Sequence, residues 1–326
     1  MNILVTGGLG YTGIELVKKL SNTGHNVVIV DIDLYDTARF LESCPNVKIL
    51  KADILTVDWS VILRQYSIDV VYHLAGISND PGNGVTAEFG MKINYYASVR
   101  LYESLRFSLV HKFIYPSSCS VYGLSQNNAV DETCPISPIT NYARCKVMVE
   151  QYVRQHQYPN ISTVLLRPAT VFGPSTRQRL DLLINRTIIG ALAGTAIHTP
   201  NLENSRPHVY IQDLLRVYEF FLTHGVGLNT YNIAFGNYKI RDIVRKVQLV
   251  TGKSIHICED KKADPRTYCV NSKRILSVFP DLSKASFEEN LSATVTSFIG
   301  QDLIAKIDED IYYNKRIQEK KWGTSL

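Results

Sequence analysis

Residues 5 to 13 read VTGGLGYTG, overlapping the end of the apolar run NILVTG at 2–7. Gly7, Gly10 and Gly13 stand where a strand gives way to a helix, and Gly8, Gly10 and Gly13 also satisfy the G-x-G-x-x-G spacing of a dinucleotide-binding turn. Glycines let the backbone turn tightly and approach a pyrophosphate, whose charge then rests on the N-terminus of the helix that follows. Three glycines alone are equally compatible with an ordinary turn. The next apolar run, NVVIVD at 26–31, decides between the two: it ends in Asp31, 18 residues past Gly13, where a carboxylate accepts hydrogen bonds from an adenosine ribose. That carboxylate repels a 2′-phosphate, and the following IDLYD contains no arginine, so the pattern predicts NAD rather than NADP. Asp53 in KADI follows a strand-like run and reads either as a contact to the adenine edge or as a surface aspartate.

Outward from this turn, short apolar runs alternate with helical-period segments: VKIL (47–50), VVYHLAG (70–76), KFIYPSS (112–118) and TVLLRPA (163–169). Strand and helix in alternation predict an α/β fold, a Rossmann-type doubly wound parallel sheet with helices on both faces. Beyond VFGP at 171–174 the rhythm weakens. TRQRLDLLINRTIIGALAG reads as helix, SRPHVYIQDLLRVYEFFL as a strand running into a helix, and YNIAF as a short strand. The expected organisation is a dinucleotide-binding domain over 1–174, a smaller interleaved α/β substrate domain over 175–300 with part of 206–245 returning to the first, and a polar helical tail over 301–326.

Composition bounds the functional class. The 326 residues are 45% hydrophobic and 20% charged, as in folded soluble proteins and unlike disordered or fibrous ones. A net charge of +5, from 35 basic and 30 acidic side chains, is dispersed except for NKRIQEKKW at 314–322, which reads as a solvated helix face rather than a nucleic-acid contact. The six cysteines have no CxxC spacing, so reduced thiols and no metal site are expected. No run reaches membrane-span length, and Met1 passes straight into NILVTGG without a signal-like segment, which points to the cytoplasm.

The chemistry lies in PSSCSVYG (116–123) and YARCK (142–146). Tyr142 and Lys146 share a helix face by their spacing, which a packed tyrosine beside a snorkelling lysine would satisfy as well. Beside a cofactor loop the pair takes on another meaning. Removing a hydride from a secondary alcohol requires a base for its proton, and a tyrosine with a pKa near ~10 is a poor one at neutral pH. A lysine one turn beyond and an oxidised nicotinamide each add positive charge nearby, which makes the phenolate accessible.

TGxxGxxG, HLAG (73–76), SSxxVYG and YxxxK, in this order, resemble the extended short-chain dehydrogenase/reductases that act on nucleotide-activated sugars, the NAD-dependent epimerase/dehydratase family. The resemblance implies Ser118, Tyr142 and Lys146 as the catalytic group, with Lys146 also on the nicotinamide ribose, Ala75 beside the cofactor, and Asn94 bracing the active-site backbone, unless Asn94 is a plain helix cap. It implies that Arg179, Asn185 and Arg266 in DPRTYCVNSKRI hold a nucleoside diphosphate and that Arg206 in SRPHVYIQD is a phosphate or base ligand, a task suited to the guanidinium fork, although any one of these arginines could be a structural ion pair. Ala143, Cys145, Pro207, His208 and Thr170 depart from the family pattern, the last leaving the sugar open. Where the family's 4,6-dehydratases carry an acid and a base after the serine or threonine, this chain has Cys119 and Ser120, so dehydration is disfavoured. The expected activity is epimerisation of a nucleoside-diphosphate sugar through transient C4 oxidation. A 4-dehydrogenase or 4-ketoreductase is the alternative, and a dehydratase or a non-catalytic dinucleotide-binding protein comes behind. A homodimer is expected, packed through helices near 90–105 and 142–157.

Overall fold

The structure, a computed structural model, describes residues 1–78, 86–124, 129–199, 201–225, 227–259, 267–282 and 285–322. The first half alternates strand and helix: β1 (Asn2–Thr6), α1 (Tyr11–Asn22), β2 (Asn26–Asp31), β3 (Val47–Lys51), α2 (Trp59–Gln65) and β4 (Val70–His73). Next come α3 (Ala87–Met91), α4 (Ala97–Ser104), β5 (Lys112–Pro116), α5 (Asn141–Gln155) and β6 (Ser162–Pro168). The second half contains β7 (Thr170–Phe172), α6 (Leu183–Ala193), β8 (Ile197–Thr199), β9 (Ser205–Tyr210), α7 (Ile211–Thr223), β10 (Asn229–Ile233), β11 (Gly236–Lys239), α8 (Ile240–Thr251), β12 (Ile257–Glu259), α9 (Lys273–Val278), α10 (Phe287–Gly300) and α11 (Asn314–Trp322).

Seven strands form one parallel sheet in the order β10-β6-β5-β4-β1-β2-β3. The strand order reverses between β1 and β4, the place where a doubly wound sheet leaves a crevice at the C-terminal ends of its strands. Both faces are covered, which is why the strands read as unbroken apolar runs rather than alternating ones. Ile3, Val5, Val27 and Ile29 pack with α1 and α7 on one face, whereas Leu4, Val28, Val30 and Phe113 pack with α2, α4 and α5 on the other. A second hydrophobic core joins α6, α8 and α10 through Ile184, Ile188, Ile243, Val247, Leu291 and Phe298. Beside it lie the small sheets β11-β9-β7 and β12-β8. The chain crosses back after β9, since α7 packs on α1 and β10 completes the edge of the large sheet beside β6.

Two elements differ from the sequence reading. The helix expected from Thr176 begins only at Leu183. Residues 175–182 form a loop instead, pinned by Ser175 N–H donating to Gln178 Oε1 at 2.9 Å, Gln178 Nε2 donating to the Gly173 carbonyl at 3.2 Å, and Thr176 N–H donating to Glu15 Oε1 at 2.6 Å. These tertiary partners outweigh the helical propensity of the segment. The run 314–322 is helical as expected, but only one of its faces is solvated: Asn314 and Gln318 are buried.

Candidate active site

A cavity of about 720 Å³ lies in the crevice, lined by residues that follow β1, β2, β3, β4, β5 and β6. The wall where the sequence leads one to expect the cofactor begins with the glycine loop. Gly7 has φ +70°, and a Cβ there would meet the Ala75 backbone nitrogen at 2.6 Å, so only glycine lets β1 and the segment after β4 approach this closely. A Cβ on Gly13 would lie 2.2 Å from the Gly7 carbonyl oxygen, so this glycine seats α1 against the loop behind the cavity lining. The first turn of α1 carries no side-chain cap at Gly10, and Gly10, Tyr11 and Thr12 face the cavity. Uncapped N–H groups at a helix N-terminus suit an anion.

Asp31 lines the same wall. Burial raises its pKa, opposed by the N–H groups of Leu9 at 3.0 Å and Asp33 at 2.9 Å, which hold the carboxylate in place. Ala75 borders the cavity, and Asp53 sits at its exposed rim with a carboxylate oxygen accepting from Leu55 N–H at 2.8 Å. Asn94 is not a helix cap: it lies within a π-helical turn, Lys92–Tyr96, between α3 and α4. Its amide exchanges hydrogen bonds with both backbone groups of Ile77, at 2.8 and 3.1 Å, which braces the segment after β4.

The three side chains expected to form an acid–base group enter from two elements. Thr140 caps α5 by accepting from Ala143 N–H at 3.2 Å, which starts the helix one residue before Tyr142. Tyr142 and Lys146 then project from one face into the cavity, and Ser118 joins them from the end of β5. Lys146 is 6% exposed, its Nζ donates to the Pro116 carbonyl at 2.8 Å, and it lies 4.4 Å from the Tyr115 ring centroid and 5.6 Å from that of Tyr142. Burial pushes its pKa down to about 8. Behind it, Glu150 on α5 grips Arg167 of β6 with two bonds of 3.0 and 2.7 Å, and Arg167 donates to Tyr122 Oη at 2.8 Å. The helix bearing the tyrosine and lysine is thereby locked to the sheet.

The two positions after Ser118 part company. Cys119 points away from the cavity, its thiol donating to the Arg167 carbonyl at 2.9 Å and held protonated by burial. Ser120 lines the cavity with a buried hydroxyl that has no protein partner.

The far wall is basic. Arg179, Arg186 and Arg206 line the cavity together with Thr170 and Tyr268, and Arg177 lines it nearer Asp31, beside Tyr35. The fork of Arg179 is taken up by Asp181 at 3.0 and 2.9 Å, with its remaining nitrogen donating to Ser78 Oγ at 3.2 Å. Asn185 is outside the lining: it accepts from Gly173 N–H and donates to Tyr11 Oη and the Arg179 carbonyl, so it shapes the loop rather than facing a ligand. Arg266 lies outside the described residues.

Sequence reasoning passed over Arg177 and Arg186. The Nε atoms of both are buried without a protein partner, and burial, with Arg179 adding, pushes Arg177 down to about 10. Arg177 stacks 3.6 Å from the Tyr35 ring centroid. The alternation of STRQR could have marked Arg177 beside Arg179, but nothing local signals that Tyr35, 142 residues earlier, completes its seat. Among the described residues no three His, Cys, Asp or Glu side chains gather as a metal site, and no helix is long and apolar enough to cross a membrane.

The chain is 28% identical over 287 residues to a UDP-glucose 4-epimerase of Yersinia enterocolitica, covering 78% of this chain and 84% of that one. Its fold matches a UDP-glucuronic acid 4-epimerase from Bacillus cereus, solved with UDP-glucuronic acid and NAD, at TM-score 0.80 and 27% identity over 92% of this chain and 100% of that one. A UDP-N-acetylglucosamine 4-epimerase from Methanobrevibacter ruminantium M1 matches at TM-score 0.83 and 25% identity, over 92% and 98%. The family model of the NAD dependent epimerase/dehydratase family matches residues 3–234. With its glycine loop, its Ser118, Tyr142 and Lys146 on one cavity and this match over most of its length, the chain belongs to the NAD-dependent epimerase/dehydratase family.

Proposed function

We propose that the protein is a UDP-sugar 4-epimerase that works with a resident NAD. The observation that carries this reading is the convergence of Ser118, Tyr142 and Lys146 on the cavity that also contains the uncapped glycine loop and Asp31. NAD bound there supplies an acceptor for the C4 hydride and returns it later. Tyr142 takes the proton of the C4 hydroxyl, Ser118 hydrogen-bonds the same oxygen as it becomes a carbonyl, and Lys146 keeps positive charge beside the phenolate and binds the cofactor ribose. Gly7, Gly10 and Gly13 form the pyrophosphate loop, Asp31 takes the adenosine ribose, and Ala75, Asp53 and the Asn94-braced segment border the cofactor.

The substrate diphosphate faces the basic wall. A buried, unpartnered guanidinium Nε is costly unless an anion completes it, and Arg186 carries one on the cavity lining that also holds Arg206. Arg206→Ala is expected to raise KM far more than it lowers kcat, because a diphosphate grip holds substrate and transition state alike. The turned-away thiol of Cys119 and the hydroxyl of Ser120 leave no acid–base pair for dehydration, which favours redox at C4. Turnover of UDP-glucose deuterated at C4, with no added cofactor, distinguishes the enzyme readings: an epimerase gives a C4-inverted product that retains the label. Accumulation of an unlabelled 4-keto-sugar would mark a 4-dehydrogenase instead. A cytoplasmic homodimer packed through α4 and α5 belongs to the same reading, and a monomer mass in light scattering would remove that part of it.

A further inference from the structure

Helix α11 is more densely charged than the other helices among the described residues and carries little apolar surface, yet it is not a free tail. Asn314, Gln318 and Trp322 recur every fourth residue, which sets them on one face of α11, and all three line the cavity. Asn314 is 5% exposed and bridges three separate loops. Its Oδ1 accepts from Arg177 Nη2 at 2.5 Å and from Tyr35 Oη at 3.0 Å, and its Nδ2 donates to Ser78 Oγ at 3.3 Å. Gln318, 3% exposed, hydrogen-bonds Tyr35, and Trp322 meets the Phe89 ring edge-on at 5.2 Å. Tyr35 follows β2 at the Asp31 end of the crevice, Ser78 follows β4, and Arg177 belongs to the loop after β7.

A helix that only packed on its neighbours would turn leucines or isoleucines inward. Here two amides and one indole point in, and buried amides suit a wall shared with a polar ligand. The same chemistry makes the dock reversible. Nine residues fall short of the roughly 12 to 15 that an isolated helix needs, so α11 owes its order to this polar dock. The chain is anchored just before it, where Leu180 N–H donates to the Tyr312 carbonyl at 3.0 Å, so a lift from that point undoes the Asn314 and Gln318 bonds and withdraws Trp322 from the edge of the core it packs against.

We propose that α11 is a strap across the cofactor cleft. Asn314 and Gln318 latch it to Tyr35, Arg177 and Ser78, and bound NAD exchanges only when the strap lifts. The inference rests on the reading of the cavity as an NAD site. It supplies what an epimerase needs and a dehydrogenase does not, a cofactor retained through many turnovers.

The test uses the full-length holoenzyme and follows exchange of bound NAD against isotopically labelled NAD. Asn314→Ala combined with Gln318→Ala, and Trp322→Ala separately, are expected to speed exchange by about tenfold or more. Lys321→Ala, on the exposed side of the helix, should leave it unchanged. A chain ending at Tyr313 should exchange fastest; if that chain does not fold, the point variants decide. Exchange within twofold of wild type in both the double variant and Trp322→Ala overturns the strap while leaving the NAD site intact. A wild-type protein that neither retains nor binds NAD overturns the reading of the cavity itself, and the strap with it.

Discussion

Tyr142 and Asp31 are the two side chains whose chemistry can be isolated with least disturbance to the rest. Tyr142 lies beside a buried ammonium 5.6 Å from its ring, and in the proposed reaction its phenol oxygen is the only part that the proton transfer uses. Tyr142→Phe should therefore lose on the order of 10²- to 10⁴-fold in kcat while cofactor content stays near wild type. Steady-state kinetics together with NAD content per chain checks both halves. Asp31 is a buried carboxylate held by two backbone N–H groups, with no arginine among the residues just after it. NAD should bind more tightly than NADP, and Asp31→Ala should narrow the gap, as measured by titrating each cofactor against each protein. Equal wild-type affinities would count against this role.

At the scale of elements, α5 owes its position to the pair between Glu150 and Arg167. Both side chains are nearly buried, at 3% and 5% exposure, and the guanidinium also serves Tyr122, whose hydroxyl donates to Asn232 at 2.8 Å. Glu150→Ala leaves Arg167 charged and unpaired in the interior, and breaking a buried pair from one side costs about 3–5 kcal/mol. Denaturant unfolding should report that loss, and activity should fall with it because Tyr142 and Lys146 ride on the same helix. A loss below 1 kcal/mol would mean that the pair does not hold α5. None of this was visible from spacing alone: Glu150 lies eight residues beyond Tyr142, but its partner comes from a strand that only the sheet order brings near.

For the whole molecule, acid sensitivity follows from two histidines buried as neutral rings. His73 lies between Thr6 Oγ1 at 2.6 Å and Ser98 Oγ at 2.8 Å, and burial together with the charge of Lys146 pushes it down to about 3. His208 on β9 is also pushed down to about 3, chiefly by burial. In the unfolded chain each titrates near ~6.5. Between these values the unfolded state binds more protons, so stability is complete above about pH 6.5 and is lost as pH falls toward 3, by up to about 1.4 kcal/mol per pH unit for each ring. Thermal midpoints should decline below pH 6.5, and His208→Leu should flatten that decline; an equally steep decline in the variant would refute the assignment.

The sequence by itself determined the parallel sheet and its glycine turn. The signals for these are local: an unbroken apolar run where both faces are buried, glycines where the backbone turns, and a carboxylate at the end of β2. The group of Ser118, Tyr142 and Lys146 was also legible, though through the order of its motifs and their family resemblance rather than through spacing, which a packed tyrosine and lysine would satisfy as well. Tertiary structure alone decided the far wall. Asn185 went to the loop behind the cavity and Arg179 to Asp181, while Arg177 went to the Asp31 end, on a seat made by Tyr35. The roof was decided the same way, as Asn314 and Gln318 looked like solvated residues in a charged run. Hydrophobic period reports which face of an element meets a core, but a polar side chain facing a ligand cleft has the same period as one facing water. Only the path of the chain through space tells them apart.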